Sequence, residues 1–261
     1  MGAFSVLPLI YCIATAFKPL DELLVFPPRF FVYRPTSANF RDLPILLEKL
    51  QVPLSRYFFN SIFISIVSTV LQILAASMAA FAFSKAKIKG GIIIFTIVQL
   101  SLLYNSYTLG VPCYLIFSKL KLIDTYWVYI LPSIASSMGV FLMKQYIDSS
   151  VPDALLEAAR IDGASIYRIY WQIVMPISKP SWMTLILFSF QAMWSVVPGG
   201  TIFSEELKTL PYALSSIAAG GIARSGSTMA ATVLLMIPPI AVYFISQSNV
   251  METMSSAGMK G

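Results

Sequence analysis

Six long intervals of this 261-residue chain contain no Asp, Glu, Lys or Arg. One charge at the centre of a membrane-inserted helix costs about 2.5–3.5 kcal/mol, so charge-free runs mark where a chain can enter a bilayer. They are Met1–Phe17, Tyr57–Ser84, Gly90–Ser118, Thr125–Met143, Pro180–Ser204 and Ser225–Met251, of 17, 28, 29, 19, 25 and 27 residues. A spanning helix needs about 20 apolar residues, so five cross comfortably and the first is marginal. The first interval has no basic leader, which speaks against a signal peptide and leads to the expectation that its helix starts upstream of Met1.

Only 11% of residues are charged, whereas a soluble domain carries roughly a quarter, so a water-covered globule is excluded. The formal charge of +6 is spread between apolar runs, as in loops at a membrane surface, and forms no stripe suited to nucleic acid. Histidine is absent, which removes zinc sites of the usual kind and any His-containing catalytic triad. Cys12 and Cys113 lie in apolar runs, where neither a disulfide framework nor a metal site is expected. No metal is therefore assigned.

The predicted fold is all-α and integral to the membrane, with six transmembrane helices in a single domain over residues 1–261. The second span carries Ala75, Ala76, Ser77, Ala79, Ala80 and Ala82, small residues that let helices approach closely in lipid, and is expected to be central. Pro112, Pro132, Pro198 and the Pro238-Pro239 pair predict kinks inside spans. Orientation stays open on charge alone. An N-terminus inside puts 8 Lys and Arg in the cytoplasm and 10 outside, although the short loop Lys85-Ala-Lys-Ile-Lys89 is purely basic.

The polar stretch from Asp148 to Lys179 reads as two short helices joined by a turn. Ser150 with Asp153 fits a capping box, Pro152 falls in the tolerated first turn, and Ala154–Ile161 favour helix. Gly163 can take the left-handed conformation that closes this helix, and Ser165 can cap a second one through Val174 that ends at Pro176. Taken alone, the pattern also suits an amphipathic connector on the membrane surface.

The string Glu157-Ala158-Ala159, Asp162-Gly163-Ala164 and Pro176 resembles the EAA signature of binding-protein-dependent importer permeases. The longer run EAARIDGASIYRIYWQIVMPISKP is similar to the carbohydrate-uptake branch, of the maltose-transporter type. Ala16-Phe-Lys-Pro19, Asn60-Ser61, Ala79-Ala-Phe-Ala-Phe83, Thr209-Leu-Pro211 and the tail Ala257–Gly261 extend the resemblance over nearly the whole chain. It implies the importer-permease fold with a cytoplasmic helix-turn-helix coupling loop at residues 148–179. It implies docking of Glu157, Ala158, Ala159, Asp162 and Gly163 on a cytoplasmic ATPase dimer, a second permease subunit of paralogous sequence, an extracytoplasmic sugar-binding protein, and residence in a bacterial cytoplasmic membrane.

The residue types suit that role: small alanines for close backbone contact, a carboxylate for a charge-assisted bond, and a glycine for the turn. No G-x-x-x-x-G-K-[ST] loop occurs, so ATP is expected on the partner subunit and no cofactor on this chain. The spans lack charged residues, so an ion-coupled secondary transporter or an intramembrane hydrolase fits poorly. Tyr104, Asn105, Gln191, Trp194 and Ser195 are candidates for a translocation path, since sugars are recognised by hydrogen bonds and ring stacking. Trp194-Ser195 departs from the Trp-Asn common in the sugar branch, as does the following Val-Val-Pro-Gly-Gly. An importer for a glycerophosphate or polyol remains the alternative.

Overall fold

The computed structural model describes residues 2–48, 52–86, 88–103, 106–221 and 224–258, and among these every regular element is helical. Helix is the physical outcome for apolar runs out of water, where backbone groups must find partners within their own segment. In chain order the helices are α1 (Gly2–Ala16), α2 (Leu20–Leu23), α3 (Ala38–Glu48), α4 (Leu54–Lys85), α5 (Gly91–Ser101), α6 (Gly110–Lys119) and α7 (Trp127–Ile134). They continue as α8 (Ser137–Ser150), α9 (Asp153–Ile161), α10 (Ile166–Ile169), α11 (Met175–Ile177), α12 (Lys179–Trp194), α13 (Leu210–Ala218) and α14 (Ser225–Gly258).

Among the described residues, three runs are long and apolar enough to cross a membrane: α4, Trp127–Ser150 formed by α7 and α8, and Ser225–Gln247 of α14. A fourth arises if Ile166–Ile177 and Lys179–Trp194, which meet at 77°, count as one broken span. The third charge-free interval is divided. α5 ends at Ser101, a 3₁₀ turn covers Ser106–Leu109, and α6 starts at Gly110. Pro112 thus falls in the first turn of α6, where its missing N–H would have been unpaired anyway, and does not kink a span. Pro198 is likewise no kink, because α12 stops at Trp194 and the proline lies in the loop beyond. Pro132 sits near the end of α7, just before the break ahead of α8, and Pro238 and Pro239 lie inside the continuous α14.

The chain divides into two compact units. One comprises Met1–Phe63 and Trp194–Ala241. Its polar segment after α1 is folded around satisfied charges, since a buried ion without partners would be prohibitive. Buried Glu22 accepts the backbone N–H groups of Tyr33 (3.2 Å) and Arg34 (2.9 Å), and the Arg34 guanidinium pairs with Asp21 at 3.0 Å. Buried Lys18 donates to the Arg29 carbonyl and lies 5.2 Å from the Tyr11 ring centroid. The Asn39 amide donates to the carbonyls of Ala16 and Lys18, both at 2.8 Å, closing the end of α1. Asn39 also rests on Gly226, where a Cβ would come within 2.5 Å of its oxygen.

The other unit comprises Ile64–Met193 and Val242–Gly261. Its core joins Ile73, Ala76, Ala80 and Phe81 of α4 to Met143 and Ile147 of α8, Leu156 of α9, Ile169, Tyr170 and Val174, and Leu185 of α12. The small-residue stripe does what lipid packing asks of it. Ala76, Ser77 and Ala80 are buried, and a Cβ on Gly139 of α8 would stand only 3.2 Å from the Ala76 Cβ and 3.3 Å from Leu185 Cδ1.

Candidate functional site

The polar stretch singled out in the sequence folds onto this second core as a short helix, a turn and a bent second segment. α8 continues through Ser150, so that residue ends a helix and caps none. The residue at the N-cap of α9 is Pro152, and no side chain bonds the first amides there. The start is held electrostatically. The Asp153 carboxylate, favourably placed against the N-terminal dipole, pairs with the Lys85 ammonium at 2.8 Å. Nearby, Asp148 accepts from the Ser84 hydroxyl and pairs with Lys144 at 2.6 Å, while the Lys144 ammonium lies 4.5 Å from the Phe95 ring centroid.

α9 buries Leu156 in the core and leaves Glu157, Ala158, Asp162 and Gly163 exposed. Ala159 turns inward, half-buried against the core, as does Ala164. The helix closes at Gly163, whose φ is +80°. Its N–H donates to the Arg160 carbonyl at 3.0 Å, and the Ala164 N–H donates to the Ala159 carbonyl at 2.9 Å. These are the two bonds of a Schellman motif, with its accompanying apolar contact supplied by Ala159 and Ala164. Exposed apolar side chains frame the turn: Ile161 is 87% and Tyr167 72% exposed, with Leu155, Ile166 and Trp171 also outside. An apolar rim around an exposed carboxylate pair is suited to a protein partner.

Ser165 caps the second helix as the sequence predicts, accepting the Arg168 N–H at 3.3 Å. That helix does not stop at Pro176. It passes through a π turn at Tyr170–Val174 and runs to Ile177, and the chain then bends 77° into α12. The Trp182 indole donates to the Met175 carbonyl at 3.1 Å across the bend. The Tyr170 hydroxyl, buried, is 2.7 Å from Ser77 Oγ on α4, and its ring packs on Phe81 at 5.7 Å between centroids. A motion of the turn would therefore be felt directly by α4.

The candidate path residues fare differently. Tyr104 and Asn105 lie outside the described residues. Gln191 and Ser195 are exposed. Trp194 is 1% exposed, with its indole N–H donating to the Leu235 carbonyl at 2.8 Å and Phe58 packed edge-on at 6.0 Å, so in this conformation it serves packing.

A hydrogen-bonded latch in the first unit escaped the sequence analysis. Fully buried Asn60 donates to the carbonyls of Glu206 (2.7 Å) and Lys208 (2.8 Å), and Ser61 Oγ accepts the Leu210 N–H at 2.8 Å at the start of α13. Thr209 donates to the Val196 carbonyl at 2.7 Å, and the Tyr57 hydroxyl to Glu205 at 2.8 Å. Lys208 binds Glu205 at 2.5 Å and Tyr212 at 2.9 Å. Burial pulls the Lys208 ammonium toward losing its proton, but Glu205 and Tyr212 outweigh it and hold its pKa above the ordinary lysine value. The available signal was two adjacent polar residues, Asn60-Ser61, inside an apolar span.

The model of the family described as "Binding-protein-dependent transport system inner membrane component" matches residues 43–255. The chain is 30% identical to the galactooligosaccharides transport system permease protein GanQ of Bacillus subtilis (strain 168), over all of this chain and 92% of that one. It is 28% identical to the arabinooligosaccharides transport system permease protein AraQ of Halalkalibacterium halodurans, over 98% of this chain and 92% of the relative. Among solved structures, a bacterial ABC transporter involved in import of the acidic polysaccharide alginate has a chain that superposes with a TM-score of 0.80, at 21% identity, over 95% of this chain and 91% of that one.

Proposed function

This chain belongs to the family of binding-protein-dependent transport system inner membrane components, and from that membership we propose that it is a permease subunit of a bacterial ATP-driven importer for neutral sugars or oligosaccharides. A member of this family is a transport permease and not an enzyme, and works with an ATPase, a binding protein and a second permease. In the proposed assembly the second permease is a paralogue, the binding protein delivers sugar from outside, and ATP is bound by the cytoplasmic ATPase dimer. The chain crosses the cytoplasmic membrane several times with α9 on the cytoplasmic side. Relatives named for galactooligosaccharide and arabinooligosaccharide transport support the solute class.

The observation that carries the coupling role is the geometry of α9. It is clamped to the core by Leu156 and Ala159, closed by a Schellman turn at Gly163, and presents Glu157, Ala158 and Asp162 outward within an apolar rim. A groove on the ATPase can take that ridge: Ala158 permits close backbone approach, Glu157 and Asp162 offer charge-assisted bonds, and Gly163 fixes where the ridge ends. Ala159 contributes from the inner side, by setting the helix's height above the core. Closure of the ATPase dimer then pulls α9 and, through Tyr170 and the packed core, α4.

The test is sugar-stimulated ATP hydrolysis by the reconstituted complex with Glu157→Lys. A charge-assisted hydrogen bond contributes about 1.5–3 kcal/mol, so stimulation should fall about tenfold or more in fully assembled complexes. Undiminished stimulation would overturn the coupling role. If no neutral sugar stimulates the wild type, the solute class is wrong.

A further inference from the structure

We propose that the segment joining α1 to α3, residues 20–34, is immersed in the outer headgroup region of the membrane and binds lipid there. The side rests on the orientation proposed above: α4 ends at Lys85 beside cytoplasmic α9, so its start at Leu54 and the chain before it lie outside. The segment folds back along α1 and does not rise away from it. Its ends meet at the end of the helix, where the Thr36 N–H donates to the Phe17 carbonyl at 2.8 Å. Between them the chain reaches the level of Tyr11. The Phe30 ring lies 5.5 Å from the Tyr11 ring between centroids, and the Phe31 ring 5.1 Å from that of Phe30. From Ala16, the last residue of α1, back to Tyr11 the helical rise amounts to about 7.5 Å. Elements that lie in the membrane surface insert by about 5–10 Å, so the segment sits at the depth of the headgroup and acyl boundary.

The face left outside has the composition that this depth selects. Leu20, Leu24, Val25, Phe26, Phe31 and Tyr33 are all exposed, Phe26 at 91% and Phe31 at 70%. Their exposure is built in, because the buried charges beneath hold the backbone: Lys18 donates to the Arg29 carbonyl, and Glu22 accepts the N–H groups of Tyr33 and Arg34. Asp21 is taken up by Arg34. Arg29 is exposed, meets no carboxylate among the described residues, and lies 4.8 Å from the Tyr33 ring centroid. Amphipathic rings and cationic tips settle at headgroup level, where a lipid phosphate answers the guanidinium and acyl chains receive the apolar side chains. A water-soluble binding protein would have to enter the bilayer to cover Phe31 at the level of Tyr11.

The test uses the complete transporter in vesicles of phosphatidylethanolamine and phosphatidylglycerol, in a Cys12→Ser, Cys113→Ser background with no cysteine in the other subunits. Phe31→Cys and, as a reference on exposed α3 surface, Asp42→Cys each carry a nitroxide whose collisions with oxygen and with a water-soluble nickel chelate are measured. The oxygen-to-nickel ratio at residue 31 is expected to exceed that at residue 42 by about fivefold or more, as for a label at the acyl boundary. A ratio within about twofold of the reference overturns the proposal, since the segment is then in water. A label sheltered from both reagents, in the resting complex or only once the binding protein is added, also overturns it, because protein then covers this face. The orientation is read separately, from reaction of Asp42→Cys with a membrane-impermeant thiol reagent in intact cells. Reaction from outside is expected; reaction only after the cells are opened would overturn the orientation and the outer side, while the depth at residue 31 still decides immersion in lipid.

Discussion

Replacing Gly163 by alanine isolates one energetic quantity. The glycine sits at φ +80°, and a Cβ built there meets no atom within 4 Å, so the substitution brings backbone strain and no clash. A left-handed alanine costs about 1–2 kcal/mol. The alternative, opening the turn, gives up the bonds from Gly163 to Arg160 and from Ala164 to Ala159, each worth about 0.5–1.5 kcal/mol. The two routes cost nearly the same, so alanine should leave the turn partly formed. Asparagine tolerates the left-handed region better and should be milder, while proline, with φ locked near −65° and no N–H to donate, must open the turn. A loss of 1–2 kcal/mol changes the population of the closed turn by about 5- to 30-fold if that turn is only marginally stable, and by less if it is not. Sugar-stimulated ATP hydrolysis per assembled complex should therefore rank glycine above asparagine, then alanine, then proline. A proline variant equal to wild type, or an asparagine variant worse than alanine, would refute the argument that this turn's closure governs coupling.

Asn60→Ala removes both bonds of the latch, leaving the Lys208 carbonyl without the Asn60 amide and the Glu206 carbonyl with the Arg56 guanidinium at 3.2 Å; at about 0.5–1.5 kcal/mol net for each lost bond it should lower the melting temperature of the purified chain in detergent, and an unchanged melting curve would refute the latch. Because the Lys208 pKa is raised by folding, its stabilising pairing is complete below the ordinary lysine pKa of 10.5 and is lost as pH climbs through the higher folded value. The stability difference between wild type and Lys208→Met should thus be flat from pH 7 to 9 and shrink only in strongly alkaline buffer, and a decline near neutrality in melting curves would contradict the assignment.

Charge-free intervals located the apolar helices because a single Lys or Arg is costly in lipid, and that criterion is blind to helix breaks inside an interval. The end of α5 at Ser101 and the stop at Trp194 before Pro198 both fall where no charge changes. Gly163 and Ser165 were legible because helix ends are decided locally, by a glycine's backbone freedom and a hydroxyl's reach of three residues. Ser150 misled for the same local reason: its cap competes with the continuation of α8, and packing of Ile147 and Val151 in the core decides that contest. Asn60 was not legible as a latch, since its partners lie 146 and 148 residues away.

The coupling loop and a cavity lined by Gln72, Leu185 and Ser189 share their supporting residues within one unit. Leu185 is a core residue under α9–α10 and also lines the cavity; Ile73 in the core adjoins Gln72 in the wall; Gly139 presses on both Ala76 and Leu185. Two links could carry a displacement from loop to cavity, the Tyr170–Ser77 hydrogen bond or the packed side chains. Magnitudes favour packing. The hydrogen bond contributes about 0.5–1.5 kcal/mol net, while each buried aliphatic or aromatic side chain of the core contributes about 1.5–3 kcal/mol. Tyr170→Phe keeps the ring on Phe81 and leaves Ser77 bonded to the Leu74 carbonyl at 3.2 Å, so sugar imported per ATP should stay within about twofold of wild type. Ala80→Leu forces a larger side chain into a fully buried site, where overpacking costs about 1–3 kcal/mol, and should lower that ratio severalfold in assembled complexes. If Tyr170→Phe abolishes import while Ala80→Leu is tolerated, the hydrogen bond is the transmitting element and the packed core only its support.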